Sequence, residues 1–129
     1  MKFRATAIEA FENKELGVIT IHFDSEVEEY VQFQGASDGF EDDYYDSGFV
    51  YIEINDQLYS GYDCFSLVTL TKDTLLIHWI SDKRMLDKVS EVFVSFSIGD
   101  DQLQDVVRLF QKAFRDCPDK LKIQTEQLG

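Results

Sequence analysis

Apolar and polar residues alternate with a period of two along most of this chain, and one stretch near the C-terminus has the period of a helix. Successive side chains of a strand point to opposite faces, so this pattern commits a segment to a half-buried strand. Leu16 to Phe23 is the clearest early case, opposing Val18, Thr20 and His22 to Ile19, Ile21 and Phe23. Glu28 to Gln34 follows and sets Tyr30, Gln32 and Gln34 against Val31 and Phe33. Phe49 to Asn55 points Val50, Ile52 and Ile54 inward. Cys64 to Leu70 and Thr74 to Ile80 read as a hairpin turning at Thr71-Lys72-Asp73, with Leu75, Ile77 and Trp79 in the core. Ser90 to Ile98 is the most regular, with Val92, Val94, Phe96 and Ile98 on one side. Lys2 to Phe11 alternates in part and is expected to form a first strand, with Phe3, Ala5, Ala7 and Glu9 sharing a side.

The helical period belongs to Leu103, Val106, Val107, Phe110 and Phe114, a stripe suited to lying on a sheet. Asp100 is the expected N-cap, Lys112 and Arg115 suit the C-terminal end, and Pro118 closes the segment. Ser81 is read as the N-cap of a short helix, Asp82 to Lys88, docked through Met85 and Leu86. Gly35 to Gly48 has no period and reads as a long loop; Asn55-Asp56 as a turn, and Tyr59-Ser-Gly-Tyr62 as an irregular element. Leu121 and Ile123 form a short edge strand or fray. The order contains no βαβ repetition. It predicts one α+β domain over 1–129, a mostly antiparallel sheet of about six or seven strands with the C-terminal helix packed on one face.

Charge is segregated along the chain. Of 25 acids, twelve lie between Phe23 and Thr71, and that stretch has no Lys, Arg or His; the other 13 acids are balanced by all 12 bases. Nearly the whole net charge of -13 therefore comes from one contiguous piece. Its densest part, Ala36 to Asp46, mixes Asp38, Glu41, Asp42, Asp43 and Asp46 with Phe40, Tyr44 and Tyr45. Rings anchor a contact and charges steer it, so the mixture points to a cationic protein partner. Nucleic acid and anionic membranes, whose phosphates would repel such a segment, are not expected partners.

An aromatic content of 14% argues for a folded protein despite the charge. Glu9, Glu12 and Glu15 interrupt any apolar leader after Met1, and no apolar run is long enough to span a bilayer. Cys64 and Cys117 make neither a disulfide framework nor a four-ligand zinc site, which fits reducing cytoplasm. The state expected is a monomer or a weak homodimer formed through edge strands.

No catalytic motif accompanies the loop acids, and His22 has no second His or Cys near it in sequence, so the expectation is a non-enzymatic protein without a cofactor. A calcium loop started at Asp42 puts Tyr44 and Ser47 where an EF-hand needs a ligand and a glycine, and puts Glu53 inside a strand. The alternative to protein binding is thus a small-ligand or calcium site of irregular kind in the 38–46 loop. The leading expectation is partner binding through Asp38, Glu41, Asp42, Asp43, Tyr44, Tyr45 and Asp46, together with Tyr59, Tyr62 and Asp63.

From Tyr30 onward the chain resembles immunity protein family 10 of bacterial polymorphic toxin systems. The resemblance is carried by Tyr30-Val-Gln-Phe-Gln34, the acidic loop, Val50-Tyr-Ile-Glu-Ile-Asn-Asp-Gln57, Tyr59-Ser-Gly-Tyr62, the Leu67 to Ile80 hairpin, and the order of the later elements. The family has a glycine pair after the tyrosine where this chain has Asp63 and Cys64, and the first 25 residues have no counterpart. The resemblance implies a cytoplasmic antidote that binds the cognate toxin domain encoded beside it and blocks its active site. A nuclease is one class of toxin whose basic groove an acidic face would fill as phosphates do.

Overall fold

The computed structural model describes residues 1–37, 50–62, 65–79 and 91–124, and for 56–62 and 79 the backbone alone. Five strands consecutive in sequence, β2 (Ala7–Asn13), β3 (Val18–Asp24), β4 (Tyr30–Ala36), β5 (Tyr51–Ile54) and β6 (Asp56–Tyr62), pair antiparallel in chain order as a meander sheet. The other strands are β1 (Lys2–Arg4), β7 (Phe65–Thr71), β8 (Thr74–Trp79), β9 (Glu91–Ser95) and β10 (Leu121–Gln124). They make a mixed sheet in the order β1-β9-β8-β7-β10, antiparallel in its centre and parallel at both edges. The class is α+β, as the alternation implies, but with more strands than expected and in two sheets rather than one.

The chain passes from one sheet to the other within a single peptide step. Ala5 N–H donates to Ser95 O (2.8 Å) in the mixed sheet, and Thr6 N–H donates to Asp24 O (2.7 Å) in the meander. Lys2 to Phe11 is therefore two strands. Phe3 and Ala5 are buried while Ala7 and Glu9 are exposed, so the four residues expected on one side split between core and solvent.

One core fills the space between the sheets. Phe23 of β3 meets Phe96 at 5.6 Å between ring centroids, and Phe33 of β4 meets Phe65 of β7 edge-on at 6.5 Å. The helix α1 (Asp100–Ala113) completes this core. Phe110 lies 5.0 Å from Phe33, and Phe114, just past the helix, lies 5.6 Å from Phe65, so the helix binds both sheets. Leu103, Val106, Leu109 and Phe110 are buried, and Val107 of the expected stripe is only half-buried.

Asp100 is the first helical residue, and the N-cap is Gly99 in extended conformation with no side-chain cap. Asp100 and Asp101 favour the helix dipole by roughly 0.3–1 kcal/mol each. Each fully buried apolar side chain contributes about 1.5–3 kcal/mol, so packing rather than capping holds the helix.

Two further segments differ from expectation. Gly35 and Ala36 belong to β4 and do not begin a loop. An ideal Cβ on Gly35 would sit 2.8 Å from the Cβ of Ala113, so the strand continues there because glycine lets the helix approach. Asp56 to Tyr62 is a strand paired with β5, so the Tyr59 to Tyr62 element belongs to the sheet, and its irregularity is a register shift between the Glu53–Ser60 and Ile54–Asp56 pairs. Asn55, at φ 58°, makes the tight reversal before it. Leu121 to Gln124 does pair as an edge strand, in register with Val68 to Thr71. The expected helix over Asp82 to Lys88, with its cap Ser81, and the side chain of Trp79 lie outside the described residues.

Candidate partner-binding face

The 38–49 segment joins the end of β4 to the start of β5, both strands internal to the meander. Asp38, Glu41, Asp42, Asp43, Tyr44, Tyr45 and Asp46 lie outside the described residues, as does Asp63; Tyr59 and Tyr62 are described as β6 backbone. The register sets Tyr62 opposite Tyr51 and Ser60 opposite Glu53. Of the expected contact residues, the structure thus places Tyr62 beside a tyrosine that the sequence reading leaves out.

The base of the segment is clamped. Ser37 is buried, and its N–H donates to Gly17 O at 3.0 Å while its hydroxyl donates to the Glu12 carboxylate. Lys112 Nζ lies 2.8 and 3.0 Å from the two Glu12 oxygens. The Arg115 guanidinium donates to the carbonyls of Ala36 (2.7 Å), Ser37 (3.4 Å) and Lys112 (2.7 Å). Two elements distant in sequence, β2 and the helix C-terminus, thereby hold the last residues before the acidic segment. The hydrogen bond from Lys112, then that from Ser37, bring Glu12 down to a pKa of about 2 against the opposing effect of burial. Lys112 and Arg115 read in sequence only as charges suited to a helix C-terminus. Glu12 is missed there because the expected first strand stops at Phe11, whereas β2 runs on to Asn13 and its partner Ile19 and neighbour Gly35 place Glu12 on the inner face.

The outer face of the meander presents polar and aromatic side chains in register. Glu9, His22, Gln32 and Glu53 form one row across β2 to β5, and Phe11, Thr20, Gln34 and Tyr51 form the next. The Tyr30 hydroxyl donates to one oxygen of Glu53, and the Tyr51 hydroxyl donates to the other at 2.9 Å. Tyr30 stacks on His22 with centroids 5.3 Å apart and planes 22° from parallel, and His22 Nδ1 lies 2.9 Å from Gln32 Oε1. None of the five strands of this sheet contains Lys or Arg.

The acidic piece that is contiguous in sequence is divided in space. Asp24, Glu26, Glu28 and Glu29 stand at the β3–β4 turn, and the backbone of Asp56 begins β6 at the same end. The 38–49 segment leaves from the opposite end, a strand length of seven residues or about 20 Å away. Screening at physiological salt has a length of about 8 Å. The acids of the β3–β4 turn and the point where the 38–49 segment leaves the sheet are thus more than one screening length apart, with Glu53 on the face between them. Among the described residues, the ion pairs Lys112–Glu12, Arg108–Asp105 and His78–Glu91 take their acids from outside the Phe23 to Thr71 piece.

Among the described residues no group of three His, Cys, Asp or Glu could hold a metal ion, and no helix is long and apolar enough to cross a membrane. Comparison with protein-family models, with curated proteins and with solved structures returned no match.

Proposed function

We propose that this protein is a non-enzymatic immunity protein that binds and neutralises a cognate basic toxin domain in the cytoplasm. The contact is made by the acidic, tyrosine-bearing 38–46 segment with Tyr59, Tyr62 and Asp63. The observation that carries the reading is the absence of Lys and Arg from every strand of the sheet that bears this segment, while cations stand on the other sheet's edges at Lys2, Arg4 and Lys122. The clamp at Ser37 and Ala36 supports it too, because a held base lowers the entropy lost when a segment docks. The family likeness of the Tyr30 to Gln57 strings supports the same class of partner.

The test co-expresses the protein with the product of the adjacent reading frame and measures their association. Wild type is expected to bind it and to relieve its toxicity. Asp42→Lys with Asp43→Lys is expected to slow association by about ten-fold or more at low salt, and much less at high salt, with the fold unchanged. An association rate indifferent to the double reversal removes the 38–46 segment from the interface.

A further inference from the structure

On the outer face of the meander sheet, Glu53 lies between two tyrosines, away from the core. The Tyr30 and Tyr51 hydroxyls donate to its two oxygens, one each. An ionised carboxylate has about four acceptor positions, so one remains on each oxygen. Those two positions suit the parallel N–H groups of a guanidinium, which a lysine ammonium cannot match. The carboxylate is already oriented by the phenols, and Tyr30 is itself held by its stack on His22, which is bonded to Gln32. Little side-chain freedom remains to be lost when a ligand arrives. Two rows of the same face end in Glu9 and in Phe11, the latter 48% exposed, on β2. An ordinary solvated sheet face mixes both signs of charge; here the positive one is missing from the strands.

We infer that the outer face of the meander sheet is a docking surface for an arginine side chain presented by a basic protein, with Glu53 as the acceptor and Tyr30 and Tyr51 as the rings beside it. The occupant follows from charge complementarity: a face with Glu9 and Glu53 and no cation in its strands fits a cationic partner, and the bidentate geometry selects arginine. The inference deepens the toxin-binding reading, since it moves the anchoring contact from the 38–46 segment to residues on a rigid sheet.

A tetra-arginine peptide amide is the probe, titrated into the labelled protein at low salt while backbone amide shifts are followed by NMR, with tetra-lysine as the comparison. Amides of β3, β4 and β5 around His22, Gln32 and Glu53 are expected to move with tetra-arginine and to move less with tetra-lysine. Glu53→Gln, an isosteric change on an outer face, is expected to weaken the effect at those amides by about five-fold and to leave the dispersion of the spectrum and the shifts of 38–46 unaltered. Tyr51→Phe, which keeps the ring and removes the donor, should weaken it less. Tetra-arginine shifts confined to 38–46, or shifts at β3 to β5 that Glu53→Gln leaves unchanged, overturn the inference. Failure of the adjacent gene product to bind wild type overturns the toxin-binding reading instead, and the two results are read from different experiments.

Discussion

Glu12 offers the most quantitative test of how the acidic segment is held. Its carboxyl has a pKa of about 2 in the fold against 4.5 for an unperturbed group. Each pH unit between those values corresponds to about 1.4 kcal/mol, so the ionised carboxylate contributes on the order of 3 kcal/mol at neutral pH. The side chain is 10% exposed and that of Lys112 20%, so solvent screening removes little of this. Glu12→Gln keeps the size and one acceptor for Ser37, and Lys112 can extend toward water, which returns part of the loss. The expected cost is about 2 kcal/mol at pH 7. Because the folded pKa lies below the unfolded one, the unfolded chain binds more protons between pH 4.5 and 2. Wild type therefore has this stability in full above pH 4.5 and loses it as pH falls toward 2. The Gln variant lacks this contribution at every pH. Urea midpoints for both proteins at pH 7, 5, 4, 3 and 2, with slopes checked for equality, should give a difference that is constant above pH 5 and closes toward pH 2. Other carboxylates titrate in the same range but are common to both proteins and cancel in the difference. Curves that stay parallel from pH 5 to 2 refute the clamp.

Two other predictions concern backbone positions. Gly35→Ala places a Cβ 2.8 Å from that of Ala113 and should cost about 1–3 kcal/mol, and Ala113→Gly in the same chain should recover part of it, a coupling that urea denaturation of the four-member cycle measures. Asn55, at φ 58°, accepts a 2.8 Å bond from Tyr30 N–H, so Asn55→Ala should lose both conformation and bond while Asn55→Gly loses only the bond; Ala less stable than Gly by about 1 kcal/mol is expected, and the reverse order refutes a left-handed constraint there.

Most of the strands were legible because their period is visible without knowledge of neighbours. Val31 and Phe33 are buried opposite half-buried Gln32 and Gln34, and Val92, Val94 and Phe96 are buried as their alternation implies. What was not legible depends on partners. Ala7 carries no burial signal of its own, so the move between sheets at Ala5 and Thr6 leaves no trace in the pattern. Gly35 reads as a breaker until the helix is seen against it. Leu109 falls outside the stripe traced from Leu103 through Phe114, yet it is buried because the helix packs against more than one surface. The Tyr30, Tyr51 and Glu53 group was invisible because alternation assigns a face, but only register across strands says which side chains meet on it.

The meander also changes what a run of acids means. A hairpin reverses the chain every seven residues or so, which puts Asp24, Glu26, Glu28 and Glu29 at the β3–β4 turn, the departure of the 38–49 segment at the far end, and Glu53 between them. The turn and that departure point lie about 20 Å apart in a medium that screens over about 8 Å, so a small ligand at one of them is beyond the field of the other. A basic surface long enough to meet both must lie along the strands. Such a surface crosses the row that holds Glu53, where the tyrosine hydroxyls have already oriented the carboxylate. On the proposed reading, steering and anchoring fall to different residues: the acids outside the sheet face would set the association rate and its salt dependence, and the sheet face the lifetime of the complex.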